Sequence, residues 1–372
     1  MFQKLREIHL VSLFLLFSSS LNAVDFLYND FSSDKDHFSL ILSADIKTKN
    51  LSLSPLEKDS KDIYEIDSTK KAINGYGKDY YAFAYNFSHF QFGIFKAREI
   101  RVDVTSGLNG AWSSAEEDFF LFLSQKYDVE EDSRSVDGDF SYYNSYGFFL
   151  QNYWKLTKNT SLNLRVKFHN ATNMDTIKVR GTQEEYFVAS LDHYYVKKNL
   201  LTTQKVDSPH AQGYGYSLDL EYTYHPDDFY LYIGFTNIES FIFWKNLSFM
   251  HYDFDSEVIY VGDDGYNHYK PFGQGEYKYD VSYTQRLPFY TTLSMDYRYN
   301  EQFAFGSLTQ YHHKDLYFNE LFTRYKNRYK LGYIIENQVM TFGFYLSNFS
   351  LELSNLLSKS KNSFVATIKI NY

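Results

Sequence analysis

The chain has 372 residues, a formal net charge of −9, no cysteine, only 5 prolines and 20% aromatic residues, nearly all Tyr (37) and Phe (35). The acidic balance excludes generic nucleic-acid binding, which needs a basic footprint, and the lack of cysteine excludes a disulfide-held exported scaffold. Beyond the first 23 residues no run of about 18 apolar residues occurs, so there is no helical membrane span.

Residues 1–23 read as a secretory signal. Lys4 and Arg6 form its positive end, 8–17 its apolar stretch, and Ser18-Ser19-Ser20-Leu21-Asn22-Ala23 its small-residue cleavage region. No Pro/Gly/Ser-rich linker divides the remainder, so 24–372 is read as one domain. Strands are predicted at 37–45, 79–86 and 88–96, with 48–53 ambiguous. Ser114-Ala115-Glu116-Glu117 reads as a capping box opening a short helix toward Tyr127, with Phe119, Phe120, Leu123 and Tyr127 on one face. A surface or loop-packing helix, a plug helix and a strand through 118–125 are the readings of that stretch. Asp128-Val129-Glu130-Glu131-Asp132 and Asp137-Gly138-Asp139 are acidic but lack the twelve-residue calcium-loop pattern.

Further strands are predicted at 139–154, 160–169, 185–195, 212–224, 229–244 and 249–261. In 213–224 the greasy set is even-numbered (Tyr214, Tyr216, Leu218, Leu220, Tyr222, Tyr224). In 229–237 it is odd (Phe229, Leu231, Ile233, Phe235). Paired residues share a face, so a loop His225-Pro226-Asp227-Asp228 is expected to set Tyr224 opposite Phe229. His251, Asp253 and Asp255 share one strand face and could approach a divalent cation, but Asp and His facing a wet lumen or loop are the ordinary reading of such a set. No metal or other cofactor is expected.

From Glu276 the chain reads as a meander of strands near 276–285, 289–299, 303–311, 315–325, 328–335, 338–346, 349–356 and 363–372, the rhythm of about ten residues plus a turn that a membrane barrel shows. Cross-strand charge pairing predicts a hairpin turning at Arg286-Leu287-Pro288 that sets Lys278 beside Asp296 and Glu276 beside Arg298. Longer excursions fall at 54–78, 106–138, 170–184, 196–211 and 262–275. The total points to an all-β, transmembrane, antiparallel up-and-down barrel of about 16 strands (range 14–18), with room for one short helix.

Predicted lumen-facing residues are Arg165, Lys167, Asp219, Glu221, Lys278, Asp280, Asp296 and Arg298, together with Asn163, Arg328 and Lys330. Both signs occur, which suits a modestly selective pore or a packed, ion-paired interior equally. No Gly-x-Ser-x-Gly or similar motif places a nucleophile beside a base. His312 and His313 are adjacent on a strand end and should diverge. The chain is not expected to be an enzyme.

The last strand alternates Phe364, Ala366, Ile368, Ile370 and Tyr372 against Val365, Thr367, Lys369 and Asn371. It resembles the aromatic-ended terminal strand of Gram-negative outer-membrane barrels, which their assembly machinery reads. That resemblance implies an outer-membrane address, with lipid and lipopolysaccharide as surroundings. Gly213-Tyr214-Gly215-Tyr216-Ser217-Leu218-Asp219-Leu220-Glu221-Tyr222, with Tyr232-Ile233-Gly234 and Asn237 to Trp244 downstream, is similar to a hairpin of the FadL-like long-chain fatty-acid transporter superfamily. The similarity covers about 32 residues, and Val24-Asp25-Phe26 lacks the Asn-Pro-Ala plug motif. It implies uptake of hydrophobic compounds. The expectation is a monomeric outer-membrane channel or transporter for small molecules, hydrophobic ones among them. The alternatives are a non-conducting structural, assembly or surface-binding barrel and, third, a membrane-embedded hydrolase.

Overall fold

The computed structural model describes residues 36–49, 63–67, 73–104, 108–113, 118–123, 134–183, 187–196, 211–255, 259–261, 267–269, 272–312, 316–346, 349–354 and 363–371. The signal segment, residues 24–26, 50–53, 114–117, Tyr127, the run 128–132, His313 and Tyr372 lie outside them.

Every described element is a strand. In chain order they are β1 (His37–Lys49), β2 (Ile63–Asp67), β3 (Ile73–Phe87), β4 (Phe90–Val104), β5 (Leu108–Ser113), β6 (Asp118–Leu123), β7 (Arg134–Thr157) and β8 (Thr160–Gln183). There follow β9 (Phe187–Tyr195), β10 (Gln212–Tyr224), β11 (Phe229–Thr236), β12 (Ser240–Asp255), β13 (Ile259–Val261), β14 (Asn267–Tyr269) and β15 (Phe272–Arg286). The last are β16 (Tyr290–Arg298), β17 (Phe303–Tyr311), β18 (Tyr317–Tyr325), β19 (Tyr329–Ile334), β20 (Val339–Leu346), β21 (Phe349–Ser354) and β22 (Ser363–Asn371).

Seventeen of these segments form one sheet, and β1 closes it by pairing with both β3 and β22. The result is an antiparallel up-and-down β-barrel. The longest closed circuit of hydrogen-bonded neighbours passes through sixteen segments, all but β15. Three pairs run in line along shared neighbours: β9 with β10 on β8 and β12, β11 with β12 on β10, and β15 with β16 on the β11–β12 stave. Joined end to end, the segments make fourteen staves, inside the expected range. Closure removes the exposed strand edges that an open sheet would present to lipid.

One rim carries tight turns, among them Ser88–His89 and Lys158–Asn159, together with the start of β1 and the end of β22. The long connections expected at 54–78, 106–138, 196–211 and 262–275 leave from the opposite rim or upper wall. Parts of those excursions are strand, however: 73–78 in β3, 134–138 in β7, 170–183 in β8 and 272–275 in β15. In β8 the reason is visible. Asn144 pairs with Asn173 but Ser145 with Ala171, so Thr172 is an extra residue. This bulge shifts the phase of alternation and hides the strand from a period-two reading.

The helix expected near 114–127 is not present over its described part. Asp118–Leu123 pairs with Leu108–Ser113 as a hairpin, and β2 adds a third strand. Five of the six residues in β6 are Phe or Leu within Asp-Phe-Phe-Leu-Phe-Leu, a composition that suits a strand once a partner is available.

Two registers also differ from expectation. Tyr224 pairs with Leu231, not Phe229, although greasy faces still match. The Phe229 N–H donates to the Pro226 carbonyl (2.9 Å), so a β-turn takes Phe229 out of the ladder with β10, while it still pairs with Tyr297 of β16. Nor do β15 and β16 form a hairpin: Asp296 lies between Tyr230 and Gly306, and Lys278 lies opposite Phe249. Leu287-Pro288-Phe289 continues the stave instead of turning it. The Leu287 N–H donates to the Ser240 carbonyl (3.3 Å), and Asn237 Nδ2 donates to the Pro288 carbonyl (2.9 Å). Pro288 is tolerated because the wall is already broken opposite it, at 237–239.

Burial alternates with period two. On β17, β18 and β19 the exposed residues Phe305, Leu321 and Leu331 lie between Tyr311 and Tyr317 at one end and Tyr325 and Tyr329 at the other. This is an apolar band with aromatic girdles, the outside of a transmembrane barrel. The exposed set continues around the wall through Phe83, Ile94, Phe148, Phe168, Tyr214 and Phe243.

Candidate functional site in the barrel interior

The buried face holds the charges. On β3, Tyr76, Lys78 and Tyr80 point inward, between Asp45 and Glu99 as cross-strand partners of Lys78. On β8 the inward set is Asn163, Arg165, Lys167 and His169, and on β10 it is Ser217, Asp219 and Glu221, each less than a tenth exposed. These sides meet across the lumen. Lys47 of β1 donates to Gln310 of β17, Tyr290 of β16 donates to Glu99 of β4, and the Tyr76 and Tyr290 rings lie 4.9 Å apart.

A cavity of about 740 Å³ of space between atoms, part of it open, lies in this interior. Its wall includes Asp45, Tyr76, Lys78, Tyr80, Arg165, Lys167, Asp219, Tyr290, Gln310 and His312. The surrounding carboxylates each have a partner. Asp45 accepts from Lys47 (2.7 Å). Asp219 accepts from Lys167 (2.9 Å) and from the Asn237 N–H (3.0 Å). Glu99 accepts from the hydroxyls of Tyr143 (3.0 Å) and Tyr290, and Glu221 from Asn163 Nδ2 (3.1 Å).

The cations are less evenly matched. Arg165 gives Nε and Nη2 to the Gln151 side-chain oxygen (2.8 and 2.5 Å) and stacks its guanidinium 5.2 Å from the Phe149 ring. Lys78 lies 5.7 Å from each of the Tyr80 and Tyr290 ring centres. Among the described residues neither has a carboxylate within ion-pair distance. His312 is 6% exposed and packs 4.6 Å from Tyr76 and 5.1 Å from Tyr290, and neither ring nitrogen has a hydrogen-bond partner.

A second cluster crosses β18, β19 and β21. Lys330 sits 3.2 Å from both Glu320 and Glu352, with Thr341 and Tyr345 donating to those carboxylates. Beside it Arg324 pairs with Asp296 at 3.2 Å.

The structure therefore places Arg165, Lys167 and Asp219 on one cavity, with Glu221 buried beside them. Asp296 is buried in the second cluster. Lys278, Asp280 and Arg298 are exposed. Lys278 bonds Glu276 (2.8 Å), and Asp280 sits at a β-bulge with φ 59°. On β22, Ala366 is buried between Ala44 and Leu353, and Ile368 and Ile370 are partly exposed. Lys78, Glu99, Tyr76, Tyr290 and His312 were not picked out as lumen residues from sequence. Lys78 was hidden because 73–78 reads as loop, although Tyr76, Lys78 and Tyr80 do alternate.

His251 turns Nδ1 to the Asp192 carboxylate (2.7 Å) and Nε2 to that of Asp253 (3.1 Å), with the carboxylates as acceptors, and the described residues hold no group of three or more metal-type ligands. His169 lies between the hydroxyls of Ser145 (3.2 Å) and Ser217 (2.9 Å). No described carboxylate orients its ring, as a nucleophile-activating histidine would need.

No family model matches the chain, and no curated protein matches it. Among solved structures, the toluene transporter TodX of P. putida aligns over 92% of this chain and 89% of its own at 12% identity, TM-score 0.37. A TodX deltaS2S3 mutant, a monoaromatic hydrocarbon channel, aligns over 95% and 94% at 12% identity, TM-score 0.42. The toluene transporter TbuX of Ralstonia pickettii aligns over 95% and 94% at 10% identity, TM-score 0.33. All three scores lie below 0.5, too low to carry an argument about activity.

Proposed function

We propose that the chain is a Gram-negative outer-membrane barrel that passes small molecules, hydrophobic ones among them, passively along its interior. The observation that carries this reading is the lumen: a closed barrel with an apolar outer band whose interior is partly filled by tyrosines and ion pairs yet retains a cavity. Ion pairs and cross-lumen hydrogen bonds narrow the path. That arrangement suits a guided solute better than a wide water column. The terminal strand with Ala366, Ile368 and Ile370 would be what the assembly machinery reads, and lipid and lipopolysaccharide would surround the band.

The test has two parts. Refolded protein in a planar bilayer should show low or intermittent ion conductance. Cells expressing it should take up dilute toluene several-fold faster than cells carrying the empty vector. Steady large openings would make it a water-filled pore instead. Silence together with unchanged uptake would favour the second reading, a non-conducting structural or surface-binding barrel. The packed Lys330–Glu320–Glu352 cluster speaks for that reading.

A further inference from the structure

We infer that the outer wall of β3, β4, β7 and β8, at the long-loop edge of the apolar band, binds a phosphate of the lipid A part of lipopolysaccharide through Lys96, with Arg98 beside it. This rests on the outer-membrane reading above and adds to it one specific lipid contact. Alternation along β4 sets Phe92, Ile94, Lys96 and Arg98 on one face. Phe92 and Ile94 are exposed members of the band. Lys96, the next residue on that face, is exposed and lies between Tyr81 and Tyr146, the level at which the exposed apolar residues of β7 stop. Because β4 starts from the tight turn at Ser88–His89, both cations lie toward the long connections, the side of the outer leaflet.

Charge on this patch is uneven. Arg98, a third exposed, is bridged to Asp79. Lys96 acts on the same carboxylate from farther away and has no carboxylate within ion-pair distance among the described residues. Two cations thus face one carboxylate, itself 8% exposed, and one positive charge is left over on the lipid-facing surface. Farther along this face Asp175, opposite Tyr142, is engaged by His193 (2.6 Å). The rest of the patch is neutral and rich in amides. Asn144 lies opposite both Arg98 and Asn173, and Asn170 Nδ2 donates to the Tyr146 hydroxyl (2.9 Å).

The occupant has to match both halves of this surface. On the band side, Ile94 and the stacked rings of Phe148 and Phe168 (4.8 Å) offer apolar surface to acyl chains. At their edge, Lys96 supplies charge-assisted hydrogen bonds to phosphate oxygens, and the asparagines can meet sugar hydroxyls. Lipid A is a phosphorylated sugar that carries acyl chains, and so has all three parts. A plain phospholipid would use the cations and leave the amides idle.

Refolded full-length protein in detergent would be titrated with bisphosphorylated lipid A and with the same lipid stripped of its phosphates. Bound lipid would be counted by native mass spectrometry, with a chelator present so that no divalent cation bridges lipid and protein. The phosphorylated form is expected to bind at least tenfold tighter. Lys96→Gln should weaken it at least fivefold and leave the stripped lipid unchanged, while Lys96→Arg should retain most of the affinity. Arg98 is left in place, because removing it would strand Asp79. Lys158, exposed in a tight turn of the opposite rim, serves as control, and Lys158→Gln should change nothing. Each variant must keep its β-sheet circular dichroism and heat-modifiable migration; where Lys96→Gln misfolds, Lys96→Met decides. Equal binding of the two lipids, indifference to Lys96, or an equal loss in Lys158→Gln overturns the site. Displacement by inorganic phosphate alone, or equal affinity for phosphatidylglycerol, overturns the lipid A assignment. These outcomes leave the transport reading to its own test, whereas absence of the protein from the outer-membrane fraction of cells would remove the address on which the site rests.

Discussion

Gly147 shows how tightly single residues are fitted into the wall. A Cβ built there would lie 1.8 Å from the Phe168 carbonyl oxygen, and backbone cannot swing aside as a side-chain tip can. Gly147→Ala should therefore destabilise the barrel by about 1–3 kcal/mol, as overpacking does elsewhere, read as a lower urea midpoint of the folded, heat-modifiable form. Lys330 tests the opposite case. Replacing it with Met leaves Glu320 and Glu352 buried and facing each other, at a cost of about 3–5 kcal/mol. Lys330→Met should lower the same midpoint, and Lys330→Met combined with Glu320→Gln and Glu352→Gln should recover most of it. At this scale the sequence was legible where alternation ran undisturbed: Arg165, Lys167, Asp219 and Glu221 fall on the buried face. It was not legible at Lys278 and Asp280. The bulges at Asn246 and Asp280, with φ 57° and 59°, reset the phase there, and no residue pattern announces them.

Among the elements, β7 and β8 are the extreme, with 24 residues each. About 9–11 residues cross a bilayer, and on β7 the exposed apolar residues stop at Tyr146. Residues 134–144 of β7, their partners on β8, and β9 beyond them thus stand outside the band. They are held together by Val102, Phe140, Ile177, Leu191 and Met250. His251 belongs to this extension through its pairing with Asp192. The hydrogen bond to the Asp192 carboxylate raises its pKa above the usual histidine value; slight burial opposes this and Asp253 adds to it. The resulting stabilisation is complete below the unfolded histidine value of about 6.5 and is lost as pH rises through the higher folded value. Nuclear magnetic resonance titration should show a raised value that falls back in Asp192→Asn. The effect on stability should be small, because both groups are well exposed. Strand positions in the meander after Glu276 were readable because hairpins there are short and regular. The Leu287-Pro288-Phe289 joint was misread because Pro288 carries the same signal in a turn and in a broken stave.

For the whole molecule, the apolar band follows from period-two patterning, the two kinds of rim from the lengths of the connections, and closure from the repeated rhythm of strand and turn. The contents of the lumen do not, because cross-lumen neighbours such as Tyr290 and Glu99 are 191 residues apart in sequence. β9 ends at Tyr195 opposite Ser248, and β10 resumes at Gln212 opposite Lys245, so residues 197–210 leave a stave and rejoin it three partner residues away. Both halves of that stave stay laced to β8 and β12 whatever joins them. A protease site placed within 197–210 should accordingly be cleavable with the two fragments still migrating as one folded barrel. The same two fragments, made as separate chains, should find each other. Fragments that hold together in this way would make the joint a port for inserting a reporter or a foreign epitope.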